Sequence, residues 1–522
     1  MPRLPIQENA NATAMANEIF GDGVTVVGAS YTGDNRASGI YRDGDTVSPG
    51  VTPGDTGVIL STGRVRNFSN PNGEFNQNTN TSSNTSGVNN NPDFNALAGA
   101  STFDAAFLDV DFIPTSNFLT MQFVFASEEY PEFQNSIYQD AVGVWVNGAP
   151  VDLAIGNGDT DPGNINSGSN QNLYVDNTSD QFNTEMDGFT VTMTLTMAVT
   201  PNVVNSIRIG IADVADSSFD SALLIAGDSV QSALLAEADS ANVFPSGSVT
   251  IDVLSNDVSS TGGTLTVTHV NGQAVTAGST INLITGESVT LNADGTLTFQ
   301  NDADLGDVNF TYTITDGTNT DTGFVNVSSI PCFVSGTRIL TPAGEVPVES
   351  LKPGDLVMTR DAGAQALRWT GGRTVVASGD FAPILIRANT FGDHQNLLVS
   401  PQHRVLIRDY LAELLFGEEE VLVAAKDLVN DHSVIQKAGG FVTYVHLMFD
   451  RHQVVFSEGL ETESFLPGPQ TNAIFDQRVI DEICALFPEL DPETGQGYSP
   501  AARRILRHYE AQLLTPALLA AA

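Results

Sequence analysis

Short runs of alternating apolar and polar residues, each closed by Gly, Asn or Asp, recur along most of this chain. "VTVVGASY", "TGVILSTG", "FLTMQFVFAS", "DAVGVWVNG", "FTVTMTLTM" and "SIRIGIADV" share this form. A period of two puts every second side chain on one face of a sheet, so such runs predict half-buried strands. No stretch of about 18 apolar residues occurs, which excludes a transmembrane helix. Residues 1–235 therefore predict a β-sandwich. A polar stretch from Asn67 to Asn95 reads as a long loop within it.

Residues 236–331 repeat the pattern at smaller scale, with "VTIDVLSND", "GTLTVTHVNG" and "VNFTYTITDG". The turn Ala293 to Gly295 between two alternating runs predicts a hairpin. About seven short strands in roughly 90 residues fit an immunoglobulin-like sandwich. Strands continue over residues 332–469, now with Arg, His and Trp. Residues 470–522 change again. "QRVIDEICALF" and "PAARRILRHYEAQLL" have helical spacing, with Ile505, Leu506, Tyr509 and Leu513 on one side. Pro500 fits the first turn of that helix and Ser499 its cap. The 522 residues thus divide into three β domains and a short helical tail, mainly β overall.

Charge marks the seam between the second and third of these. Residues 1–331 hold 38 acids, six Arg and no Lys, whereas the rest hold 24 acids and 15 bases. A net charge of -41 argues against nucleic acid and anionic membranes as partners, because both would repel the surface. The first residues, "MPRLPIQENANATAMANEIF", lack an apolar core of signal-peptide length. Direct export without a signal peptide, to the medium or the cell surface, is the expectation.

At the seam stands Cys332, one of two cysteines. A bond to Cys484 is conceivable in an oxidising compartment. A lone Cys in a β domain is commonly a small buried hydrophobe. A thiol can also attack a carbonyl as thiolate, and the nearest in sequence is that of Pro331. An amide is a poor electrophile, so attack there needs a proton donor for nitrogen and donors for the oxyanion. Five of the seven His lie between His394 and His452. "VSPQHRVLI" carries His403, and "VTYVHLMFDRHQVVFSEGLETESF" carries His446, Asp450 and His452. A metal held by Cys332, His403 and His446 is a further reading, though the spacing is not that of a structural zinc motif.

"CFVSGTRILT", then "VPVESLKPGDLVMT", then "SPQHRVLI" resemble the successive motifs of the hedgehog/intein (Hint) superfamily, in its bacterial variety. The resemblance implies a horseshoe-shaped all-β domain whose first residue performs an N–S acyl shift on its own preceding peptide bond. It makes Cys332 the nucleophile, His403 the main acid and Ser400 a contact to the amide or oxyanion. Thr337 becomes a secondary contact, and Asp450 or His446 an assistant of the shift. No cofactor is required. The substrate is the chain's own N-terminal segment, and the acyl acceptor is water, an amine or a hydroxyl.

Intein-like domains end in Asn-Gly and, a few residues on, His-Asn, whose Asn cyclises. Here Glu458-Gly459 and Glu463-Ser464 hold those places. Neither Glu nor Ser supplies a side-chain amide, so the resemblance implies one N-terminal cut without splicing. Pro331 restricts torsion beside the scissile carbonyl.

"DTGVILSTGRVRNFSNPN" and "FVFASEEYPEFQNSIYQDAVGVWVNG" resemble the choice-of-anchor L domain of bacterial surface and secreted proteins. This implies an extracellular module, with a cell-surface ligand as a possible partner. Glu128, Glu129, Glu132 and Asp140 are candidate Ca2+ ligands or an acid–base pair there, or simply a solvated turn. "IDVLSNDVSSTGGTLTV" and "YTITDG" resemble cadherin-like or immunoglobulin-like repeats of adhesins. Asp252, Asn256, Asp257 and Asp316 are candidate Ca2+ ligands in that domain. An adhesion protein with an inert Hint domain is the alternative function.

Overall fold

The structure, a computed structural model, describes residues 2–466 apart from 72–75, 77–79, 135, 137, 152–160, 244–247, 302–307, 330–331, 378–381 and 431. It also describes 487, 498–506, 511 and 514. Strands dominate, and no described helix is long and apolar enough to cross a membrane.

The first domain is a sandwich of two antiparallel sheets. One has five strands, with Asn205–Val214 between Thr102–Pro114 and Ala141–Val146. The other has eight, built around Phe118–Ser127 and Ser221–Ala226. All six alternating runs quoted above are strands. Phe118–Ser127 is buried on both faces rather than alternately. Its inner face meets the main core through Met121, Phe123 and Phe125. Its outer face enters a second core through Val124 and Ala126, with Tyr41, Phe68 and Phe189. That second layer comes from loops and short helices, which period-two reasoning does not reveal.

The immunoglobulin-like domain packs a five-stranded sheet on a four-stranded one around Phe299, Phe310 and Tyr312. The hairpin expected at Ala293 to Gly295 joins Ser288–Leu291 to Leu297–Gln300. Gly295 takes a positive φ of 92° there, which suits glycine. Gln122 donates to the Thr320 carbonyl at 2.7 Å and Thr194 to Asp321 at 3.0 Å, tying the first two domains together.

The third domain has a six-stranded and a nine-stranded sheet and no closed barrel. The short strand Phe333–Val334 is central in the first, between Phe441–Met448 and Leu397–Val399. This pairing holds Cys332, just before it, inside the domain. Val454–Ser457 and Leu460–Glu463 form a hairpin whose two-residue turn is Glu458-Gly459. Both turn residues have positive φ, 51° and 87°, the geometry of the tight hairpin turn that matches strand twist.

One expectation fails in the tail. Arg504–Ile505 is not the first turn of a helix but an edge strand, parallel to Glu420–Ala424. Ser499 caps nothing there; its Oγ accepts from the His452 backbone N–H at 2.7 Å. The unpaired edge of Glu420–Ala424 offers hydrogen bonds to an incoming chain that local helical periodicity cannot weigh. Ala511 and Leu514 are helical and buried in the domain core. "QRVIDEICALF" lies outside the described residues except Phe487.

Candidate active site

Cys332 is 5% exposed and a thiol, not a disulfide. Cys484, the other cysteine, lies outside the described residues. One residue grips its backbone from both sides. The turn Ser400–His403 follows the strand Leu397–Val399. There the Cys332 N–H donates to Ser400 Oγ at 2.7 Å, and the Ser400 N–H donates to the Cys332 carbonyl at 2.9 Å. Ser400 thus meets the nitrogen of the Pro331–Cys332 bond, whose carbonyl side lies outside the described residues.

The side chain meets a different strand. Phe441–Met448 carries His446, whose Nε2 lies 3.5 Å from Cys332 Sγ. Trp369 and Phe465 flank this imidazole, at 6.4 and 5.5 Å between ring centroids. The pocket is dry. Burial pushes the thiol well above its ordinary pKa, and the Ser400 hydroxyl only partly offsets this. The resting sulfur is therefore protonated, and forming the thiolate requires a base in contact.

His403 is 2% exposed and packs against Phe333, ring centroids 4.3 Å apart. Among the described residues both of its buried ring nitrogens lack a hydrogen-bond partner. Burial lowers its pKa to about 4, with Glu463 acting the other way and Arg404, His446 and His452 adding to the lowering. It is a neutral imidazole at neutral pH, with an acceptor and a donor both unengaged. Unsatisfied buried polar atoms are costly and mark a place held ready for another group.

A third layer lies beneath. Glu463 is fully buried and accepts from the Arg404 backbone N–H at 3.0 Å and from its guanidinium at 3.0 Å. His452 Nε2 is 3.4 Å from the same carboxylate and 3.1 Å from the Ser464 carbonyl. Burial would raise the Glu463 pKa, but Arg404, His452 and His403 outweigh it and hold it at about 2. His452 Nδ1 accepts the Ala502 N–H at 2.9 Å, so the neutral ring carries its proton on Nε2. Ser464 Oγ accepts the Gln453 N–H at 2.9 Å.

The structure brings Cys332, Ser400, His403 and His446 together. It does not bring Asp450, which is 66% exposed and pairs with Arg368 at 3.4 Å. Asp450 lies beyond the strand that carries His446, in the turn that leaves the sheet. Thr337 is buried but donates to the Leu398 carbonyl at 3.3 Å, away from the thiol. Sequence reasoning missed Arg404, His452 and Glu463 as one network. The available signal was a charged residue directly after His403 and another directly before Ser464.

In the middle domain Asp257 Oδ1 accepts from the Glu237 N–H at 2.8 Å and the Tyr312 hydroxyl at 3.1 Å. Asn256 presents its amide NH2 to Asp239 at 3.2 Å. Asp252 is close enough for its charge to raise Asp239 and Asp257, although burial is the larger cause. Asp316 stands apart and ties Ser259 and Thr261 to its own loop. Among the described residues no three His, Cys, Asp or Glu side chains gather as a metal set, either here or at Cys332.

The Hint domain family model matches residues 331–469, the Choice-of-anchor L domain residues 6–231 and the Bacterial Ig domain residues 231–328. Among solved structures, a splice-inactive AceL NrdHF class 3 split intein aligns at 17% identity. It covers 26% of this chain and 97% of its own, with a TM-score of 0.19. The gp41-1 intein aligns at 11% identity over 25% of this chain and 97% of its own, with a TM-score of 0.17. No curated protein matches.

Proposed function

We propose that this chain, which carries a choice-of-anchor L domain, a bacterial Ig domain and a Hint domain in that order, cuts itself once at Pro331–Cys332. The product is residues 1–331, an acidic cargo for the cell surface or the medium, released or passed to an acceptor. The reading is supported above all by the double engagement of Cys332: sulfur at His446, amide nitrogen at Ser400.

In this mechanism His446 Nε2 takes the thiol proton. The sulfur forms a C–S bond to the Pro331 carbonyl carbon. The C–N bond breaks, its electron pair stays on the Cys332 nitrogen, and that nitrogen takes up a proton. His403 delivers it from one ring nitrogen and takes up at the other the proton that His446 removed from the thiol, both of its nitrogens being unengaged among the described residues. Ser400 holds the nitrogen in line. Water, an amine or a hydroxyl then attacks the thioester, and the Cys332 thiol leaves. Ser464 offers no amide for cyclisation, so the chain does not splice. The reaction occurs once per chain and needs no cofactor.

The protonated, buried thiol favours one other reading, a surface-binding protein with a silent Hint domain. Reducing gels of the full chain and of Cys332→Ala, with and without dithiothreitol, separate the two. Cleavage predicts a fragment of residues 1–331 from the native chain only, increased by thiol. An intact chain under every condition leaves the silent-domain reading.

A further inference from the structure

Two carboxylates face each other in the core of the first domain. Ala212 on Asn205–Val214 pairs with Ala141 on Ala141–Val146, so the same register sets Asp213 opposite Asp140. Directly opposed residues share one face of a sheet, and like charges there repel. Both are buried, 4% and 1% exposed. A register shift against Thr102–Pro114 falls between Ile211 and Asp213, the kind of bulge that re-aims a side chain.

Among the described residues two of their oxygens lack a hydrogen-bond partner, although the Ser221 hydroxyl adjoins Asp140 and the Thr62 hydroxyl adjoins Asp213. Asp140 Oδ1 accepts the Val214 N–H at 3.1 Å, but Asp140 Oδ2 and Asp213 Oδ1 are buried with no hydrogen-bond partner. Glu129, 2% exposed, adjoins them, its Oε2 accepting the Asp140 N–H at 2.9 Å. Exposed Asp216 adds its charge to both Glu129 and Asp140. After burial itself, every charged group acting most strongly on these three acids is another acid. The domain has no Lys, and of its six Arg, Arg36, Arg42 and Arg208 are engaged with Asp34, Glu18, Asp93 and Asp109 elsewhere. Unpaired buried charge is expensive enough that something must neutralise it.

We propose that a calcium ion sits between Asp140 and Asp213. Calcium takes six to eight oxygens in flexible geometry, from carboxylates, hydroxyls and carbonyls alike. This suits a place where no three acidic side chains form a set alone, and where the Ser221 and Thr62 hydroxyls adjoin Asp140 and Asp213. Zinc is usually held in a tetrahedral set that includes nitrogen or sulfur, and the acids here supply oxygen alone. The site would fasten the strand ends at one edge of the sandwich. It is independent of the self-cutting reaction.

The test uses the full chain carrying Cys332→Ala, stripped with EDTA, and follows thermal unfolding with and without millimolar calcium chloride. Calcium at about a hundredfold its dissociation constant should raise the first-domain midpoint by roughly 5–10 °C. Asp213→Asn should abolish that shift. Because it also removes one of two opposed charges, its midpoint in EDTA should equal or exceed the parent's. This shows that the variant folds. The acidic group near Asp257 is intact in both proteins and cannot mimic the difference. No calcium shift in the parent, or an equal shift in Asp213→Asn, overturns the proposal. A midpoint that rises on acidification but ignores calcium would mean a shared proton instead, and would overturn it too.

Discussion

Sγ of Cys332 lies 3.5 Å from Nε2 of His446, inside a pocket that raises the thiol's pKa through burial. The two facts belong together. A thiol in a dry site is inert until a base touches it, and the base in contact is on a strand that pairs with Cys332's own neighbour, Phe333. Registered strands thus hold the reacting atoms.

His446→Gln keeps a polar side chain of similar reach but removes the base. Thiol-induced cleavage of the full chain should slow by roughly 10²–10⁴-fold. The measurement is a single-turnover time course on gels. A rate equal to the native one removes His446 from the mechanism.

Ser400→Ala leaves the Cys332 N–H without its 2.7 Å acceptor, whereas Ser400→Thr keeps a hydroxyl. Ala should slow cleavage at least tenfold, and Thr should retain most of it. Equal loss in both variants would indicate a packing effect rather than a role for the hydroxyl.

His403 has a folded pKa of about 4 against an ordinary 6.5. Its folded form binds fewer protons than the unfolded chain, so stability is complete above about pH 6.5 and falls as pH drops toward 4. The loss should be on the order of 3 kcal/mol, from a shift of some 2.5 units. Urea unfolding of the full chain, followed by the fluorescence of Trp369 in the Hint domain, measures it. His403→Phe should flatten that part of the profile. Glu463, held at about 2 against 4.5, contributes stability above 4.5 that is lost only as pH falls further toward 2.

Glu463→Ala removes the partner of Arg404 and of His452 from a fully buried position. Breaking such a pair costs about 3–5 kcal/mol. The same urea titration should show it, and an unchanged midpoint would mean that the carboxylate is solvated in solution.

Much of this was legible from the chain alone. Alternation and turn residues found the strands, and the ordered motifs singled out Cys332, Ser400 and His403, with Asp450 or His446 left as alternatives. What escaped was non-local. Arg504–Ile505 reads as helix until the open edge of Glu420–Ala424 is in view. Asp213 lies in "SIRIGIADV", where it reads as an ordinary strand end, and only the register with Ala141–Val146 sets it against Asp140. Asp450, two residues past the end of Phe441–Met448, follows the strand out of the site.

The thioester at Pro331 is the central claim, and hydroxylamine trapping with intact-mass spectrometry tests it most directly. Incubating the native full chain with hydroxylamine should yield residues 1–331 bearing a hydroxamate at the Pro331 carbonyl, with Cys332 as the new N-terminus of the other fragment. Cys332→Ala should yield neither. A native chain that stays intact, or one that breaks at any other bond, would contradict the account.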